Sequence, residues 1–194
     1  ADRANQYRTL FPAMITDWRK SWNQPNFPFY FVQLANFMKE ETQPVASAWA
    51  ELRDAQRQTL SLPNTGMAVA IDIGDAVDIH PKNKQDVGRR LAYIALAKNY
   101  GIKIPYSGPV YKSHQVAGNA FQLSFSSLDG GLKTKDGSEV KGFAIAGADQ
   151  KFHWAKAVIS GDQIIVSSAD VLNPVAVRYA WANNPVCNLV NGAG

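Results

Sequence analysis

Three aspartates and one histidine fall within nine residues, at Asp72, Asp75, Asp78 and His80. An imidazole beside carboxylates is the raw material of general-base catalysis. A carboxylate or carbonyl on one ring nitrogen fixes the tautomer, and the other nitrogen is left to take a proton. Pro81 follows and restricts His80 to an extended backbone, which helps fix where the ring points. Aspartates with a single histidine could also hold a divalent ion, but neither an H-E-x-x-H pattern nor a second clustered histidine accompanies them.

The surrounding elements must hold that histidine still. The apolar run GMAVAID (Gly66 to Asp72) has the length and flanks of a buried strand. Asn83, with Asp86 three residues on, reads as the cap of a helix through Val87, Leu91 and Ile94 that runs to about Tyr100 and stops at Gly101. His80 therefore sits at a strand-to-helix crossing, outside the carboxyl end of a strand, where open α/β sheets bind ligands.

Upstream, Asp2 to Trp22 places Tyr7, Leu10, Phe11, Met14, Ile15, Trp18 and Trp22 on one face of a helix, with Pro12 expected to kink it or reset its start. PFYFVQLA (Pro28 to Ala35) is apolar on both sides, the mark of a parallel strand between helices. A polar loop from Lys39 to Val45 leads to a helix from about Ala46 to Thr59, with Trp49 and Leu52 towards the core. Two parallel strands with three helices leave sheet edges and apolar faces uncovered, so at least two or three further strands are expected, lying upstream.

From Ile104 helical periodicity gives way to alternation. Phe121, Leu123 and Phe125 alternate with polar neighbours, and the larger side chains Val175, Val177, Tyr179 and Trp181 alternate again. Gly130-Gly131 and Asp136-Gly137 signal turns, and Ser160-Gly161-Asp162-Gln163 reads as a hairpin between Val158 and Val166. The fold class is α/β over residues 1–105, followed by a small antiparallel β-sandwich domain over residues 106–194.

The other candidates read as structural. His153, between Phe152 and Trp154, suits a packed or edge-strand position; His114 also falls in the β-domain. Cys187, the one cysteine, is a small apolar filler and excludes an internal disulfide. Trp154, Tyr179 and Trp181 could stack on a sugar, although aromatics at strand spacing usually fill a core. Neither a G-x-S-x-G elbow nor a glycine-rich phosphate loop is present.

The net charge of +4 raises the question of nucleic acid. The excess is spread thinly, 13 basic against 10 acidic residues in 1–105 and 7 against 6 in 106–194. Lys82, Lys84, Arg89 and Arg90 read as a solvated helix face, so no nucleic-acid partner is implied. Arg53 and Arg57 likewise read as helix-surface residues. No apolar run approaches the roughly 18 to 20 residues that cross a bilayer, and no membrane partner is implied.

Four segments, YRTLFPAMITDWR (Tyr7 to Arg19), PFYFVQLANF (Pro28 to Phe37), DIHPKNKQDVGRRLA (Asp78 to Ala92) and VRYAWANNP (Val177 to Pro185), together resemble the sialate O-acetylesterase family. These are SGNH-type carbohydrate esterases related to acetylxylan esterases. The resemblance covers essentially the whole chain. It implies that residues 1–105 are the C-terminal part of an SGNH-hydrolase-like three-layer parallel-sheet domain. It also implies hydrolysis of sugar acetyl esters through an acyl-serine, without metal or organic cofactor.

By the same resemblance His80 is the catalytic histidine. The family's serine, in a Gly-Gln-Ser-Asn segment, and a second, Gly-Glu-Ser-Asn segment would both precede Ala1. The chain would then be a fragment that supplies the histidine and lacks the serine, inactive alone and partnered by an N-terminal segment or domain. The supporting acid often stands three residues before the histidine in such enzymes, but here that residue is Val77. Asp78 comes first, Asp75 second, and a Ser-His dyad held by a backbone carbonyl third. A secreted or periplasmic location is implied too. A non-catalytic glycan-binding module and an assembly subunit remain as alternatives.

Overall fold

In the computed structural model, which describes residues 1–194, helix α1 (Ala4–Ser21) runs unbroken through Pro12, so its start is not reset there. One turn later Thr16 Oγ1 donates to the Pro12 carbonyl at 2.9 Å. Only part of the predicted apolar face is covered. Ile15 is fully buried, with Ala4 and Arg19 beside it in the interior, whereas Leu10, Trp18 and Trp22 are exposed.

Strand β1 (Phe29–Val32) pairs in parallel with β2 (Thr65–Ala68), from Phe29 opposite Thr65 to Val32 opposite Ala68. Both are shorter than the apolar runs that predict them, and β1 ends for a visible reason. The Gln33 amide still donates to Ala68 O at 2.9 Å, but the next groups turn to helix α2 (Ala48–Gln58). Leu34 N donates to Gln56 Oε1 at 2.8 Å, and Trp49 Nε1 donates to Ala35 O at 2.7 Å. Ser47 caps α2 by accepting the Ala50 amide at 3.0 Å.

Arg53, expected on the helix surface, is instead buried. It shares the inner stripe of α2 with Trp49 and Gln56, four and three residues away. A 3-10 turn (Thr59–Ser61) follows α2 and leads to β2.

Helix α3 (Lys84–Lys98) lies on the opposite face of this sheet. Along β1 the side chains alternate. Phe29 and Phe31 meet Phe11 of α1, with ring centroids 6.1 and 4.9 Å away, while Tyr30 hydrogen-bonds Asn99 just after α3. Gly66 permits this close approach, since a Cβ there would lie 2.5 Å from Ile94 Cγ2 and 2.8 Å from Tyr30 Cδ1.

The sheet contains only these two strands, so each keeps one edge unpaired. The chain divides into two units, Ala1–Lys39 with Ser47–Tyr106, and Glu40–Ala46 with Ser107–Gly194. No helix is long and apolar enough to cross a membrane.

The second unit begins with β3 (Val110–Ala117), β4 (Ala120–Ser126), β5 (Leu132–Thr134), β6 (Phe143–Ala146) and β7 (Phe152–Trp154). It continues with β8 (Lys156–Ser160), β9 (Gln163–Ser167), β10 (Ala176–Tyr179) and β11 (Leu189–Asn191). All pairings are antiparallel, in sheets ordered β3-β4-β9-β8, β10-β6-β7 and β11-β5. Phe121, Leu123, Ile164 and Val166 from the first sheet share one core with Phe143 and Ile145 from the second. The predicted hairpin is present, with Ser160 opposite Gln163 and Gly161 at a φ of 59°.

Candidate active site

The backbone that leaves β2 at Ala68 crosses to the start of α3 in a loop of residues 69–83. Asn83 closes that loop as predicted. Its Oδ1 accepts the Asp86 amide at 3.1 Å, and its Nδ2 donates to Asp86 Oδ2 at 2.7 Å. Between these ends the three aspartates do three different jobs.

Asp78 is the acid that meets the histidine. One carboxylate oxygen, Oδ1, accepts the His80 amide at 2.9 Å and lies 3.1 Å from His80 Nδ1. An ionised carboxylate can only accept, so the ring proton in this contact sits on Nδ1 and Nε2 is left as the base. The His80 amide foremost, and then its ring, hold the Asp78 carboxyl below the usual aspartate range against an opposing cost of desolvation, with a lesser pull from the Lys82 charge. The His80 side chain is 84% exposed and therefore accessible from outside the unit.

Asp75 turns elsewhere. Its Oδ1 accepts the Val77 amide at 3.0 Å, and Lys82 Nζ lies 3.9 Å from its Oδ2. Asp72 is gripped by Arg90, whose Nη1 and Nη2 donate to Oδ1 and Oδ2 at 2.6 and 2.8 Å. Arg90 Nη1 also donates to Val69 O at 2.6 Å. This corrects the picture of Arg90 as a merely solvated residue, because its fork joins α3 to the start of the histidine loop. Arg89 pairs with Asp86 at 2.7 Å and Arg57 with Asp54 at 2.8 Å, both one helical turn apart on the surface.

A second grip comes from the chain after β1. Asn36 Oδ1 accepts the Gly74 amide at 2.6 Å, and the Met38 amide donates to Ala76 O at 3.1 Å. Asn36 carried no local signal in the sequence, since its partner is 38 residues away. No three His, Cys, Asp or Glu side chains converge as metal ligands would.

In the second unit the remaining candidates separate. His153 stands on β7, an edge strand, with Nδ1 3.7 Å from Asp170 Oδ2. His114 Nδ1 is 2.7 Å from the Tyr111 hydroxyl. Both residues line an apolar pocket of about 470 Å³ with Phe121, Phe143 and Tyr179. Trp154 Nε1 donates to Thr42 O at 2.9 Å, and Trp181 carries the Arg178 guanidinium 4.8 Å from its ring centroid. Cys187 is half-buried and takes part in no disulfide.

This combination of an α/β unit and antiparallel sheets is shared with a solved carbohydrate acetylesterase from Xanthomonas citri. That structure matches with a TM-score of 0.91 and 48% identity, over 97% of this chain and 43% of its own. The family described as carbohydrate esterase, sialic acid-specific acetylesterase, matches residues 1–97, and the chain belongs to it. Sialate O-acetylesterase of Mus musculus is 31% identical over 200 residues, covering 92% of this chain and 37% of that protein. The Homo sapiens counterpart is 27% identical over 201 residues, with 92% and 38% covered. The chain thus spans about two fifths of the length of the relatives it matches.

Proposed function

We propose that this chain is the histidine-bearing part of a carbohydrate O-acetylesterase, of the kind that acts on acetylated sialic acid or a related sugar. The observation that carries this is the Asp78–His80 pair, presented beyond a parallel strand in a member of a carbohydrate esterase family. His80 Nε2 takes the proton of a serine hydroxyl as the serine oxygen attacks the acetyl carbonyl. The imidazolium then returns that proton to the departing sugar oxygen, leaving acetyl-serine. Water, deprotonated by the same imidazole, releases acetate and restores the serine. Asp78 steadies the ring and its transient positive charge.

The serine is expected on polypeptide outside these 194 residues, together with the strands that would complete an SGNH-type three-layer sheet. Two features support this. Both β1 and β2 have an unpaired edge, and Leu10, Trp18 and Trp22 leave part of the apolar face of α1 exposed. The partner that covers them is an N-terminal segment or domain, and secretion or a periplasmic location belongs to the same proposal. The test is acetate release from acetylated sialic acid and acetylated xylan by the full-length protein, its His80→Ala variant and the 194-residue chain alone. Full activity is expected only in the unsubstituted full-length protein, with a residual rate about 10²- to 10⁴-fold lower in His80→Ala and none from the 194-residue chain alone. Full activity in the variant would remove the role given to His80.

The pocket bounded by Tyr111 and His114 favours a second reading, glycan binding by the β unit. It predicts that Tyr111→Ala lowers affinity for acetylated glycans while acetate release at saturation is unchanged.

A further inference from the structure

The exposed tip of the histidine loop makes its own hydrogen bonds only to itself in the contacts nearest the ring: Asp75 to Val77, and Asp78 to His80. Val77 is 90% exposed, so packing does little to place the backbone there. Where the ring stands is therefore inherited from the residues just before the tip. Gly74 and Ala76 are held from the far side by the chain after β1, through Asn36 Oδ1 and the Met38 amide.

The Asn36–Gly74 contact is matched on both sides. Asn36 supplies a half-buried acceptor to the Gly74 amide at 2.6 Å. Gly74 must lack a side chain, because a Cβ would run into both the backbone carbonyl and the Oδ1 of Asn36. This glycine is needed for close approach, since its φ is not in the left-handed region. Asn36 thus fixes a backbone point six residues before His80, at a distance that no alanine-bearing loop can reach.

We infer that Asn36 is a positioning residue for His80, acting through the Gly74 amide and not by touching the sugar. This rests on the esterase reading above. Misplacing a catalytic group by about 1 Å can cost about a hundredfold in rate. The expected signature is therefore a fall in kcat with little change in KM.

The experiment uses the full-length protein with Asn36→Leu, which keeps the size and removes the acceptor; Asn36→Asp, which keeps an acceptor oxygen; and Gly74→Ala. Asn36→Leu and Gly74→Ala should each lower kcat by about tenfold or more, with KM within about twofold, and Asn36→Asp should recover most of the loss. In a His80→Ala background, Asn36→Leu should lower kcat no further. Amide exchange at Gly74 and its neighbours should quicken in Asn36→Leu while exchange in α2 stays as it was.

An unchanged kcat in Asn36→Leu, or an equal further loss in the His80→Ala background, would overturn the assignment. If His80→Ala proves fully active, the esterase reading fails, and the grip of Asn36 on the loop is then judged by exchange alone. Unchanged Gly74 exchange overturns that grip.

Discussion

Asp78 holds His80 twice with the same oxygen, by the backbone amide at 2.9 Å and by Nδ1 at 3.1 Å. The first contact shapes the turn and the second orients the ring, so the two effects can be pulled apart. Asparagine can still accept the amide through its own oxygen, but it loses the charge that supports an imidazolium. In the full-length protein, Asp78→Asn is expected to lower the acetate-release rate by about tenfold, less than the 10²- to 10⁴-fold typical of losing the general base itself. Asp75→Asn should leave the rate within about twofold, because Asp75 caps Val77 and does not touch the ring. A larger loss at Asp75 than at Asp78 would reverse the order of the two acids.

Arg19 is a buried charge that ties α1 to the turns leading into β1 and β2. Its guanidinium donates to Phe27 O at 2.9 and 3.1 Å, to Pro63 O at 2.9 Å and to Asn64 O at 3.3 Å. Arg19→Met would fill similar space while leaving these carbonyls without that donor. The expected cost is about 2–3 kcal/mol, read as a lower urea midpoint at unchanged slope. Stability equal to that of the parent chain would show that water replaces the guanidinium freely.

Local chemistry was legible where it stayed local. Asn83 and Asp86 announced the start of α3, and Gly161-Asp162 announced a hairpin, because each signal lies within a few residues of its effect. The histidine loop was placed for the same reason. The strands were read too long because apolar content does not say where a backbone stops pairing; β1 ends where Gln56 and Trp49 of α2 claim its groups. Strand β6 was not marked at all: all four of its residues are buried, so it lacks the alternation that betrays a half-exposed strand. Arg53, Arg90 and Asn36 were beyond reach because their surroundings are set by packing or by partners far along the chain. The spacing puts Tyr7, Leu10, Phe11, Met14, Ile15, Trp18 and Trp22 on one face that needs a sheet to cover it, yet two strands cannot span it, and Leu10, Trp18 and Trp22 remain outside.

Gly66 sets the distance between β2 and α3. An alanine there would bring Cβ to 2.5 Å from Ile94 Cγ2, and Ile94 is buried and has little room to move. Gly66→Ala is expected to destabilise the chain by about 1–3 kcal/mol. Gly66→Ala combined with Ile94→Leu, which removes the β-branch methyl Cγ2, should recover part of that loss, and calorimetry of the pair checks it. Additive losses would mean that Tyr30, 2.8 Å from the same position, is the obstacle.

Asp136 gives the second unit a dependence on acid. Its Oδ1 accepts Asn188 Nδ2 at 2.9 Å, Ser138 Oγ at 2.8 Å and the Ser138 amide at 3.2 Å. These bonds, the one from Asn188 foremost, hold its carboxyl well below the usual aspartate range. In the unfolded chain the same group takes up its proton near the ordinary value of about 3.9. Below that value the unfolded state binds more protons than the folded one, so stability falls as the pH falls. The contribution is complete above the unfolded value and is lost as the pH drops through the folded one. Thermal unfolding at about pH 5 and about pH 3 should therefore show a lower midpoint in acid, and Asp136→Asn should narrow that difference by removing this titration. Asn188→Ala should narrow it as well, since it takes away the leading bond. If both variants keep the full difference, other carboxyls carry the acid sensitivity and Asp136 contributes none of it.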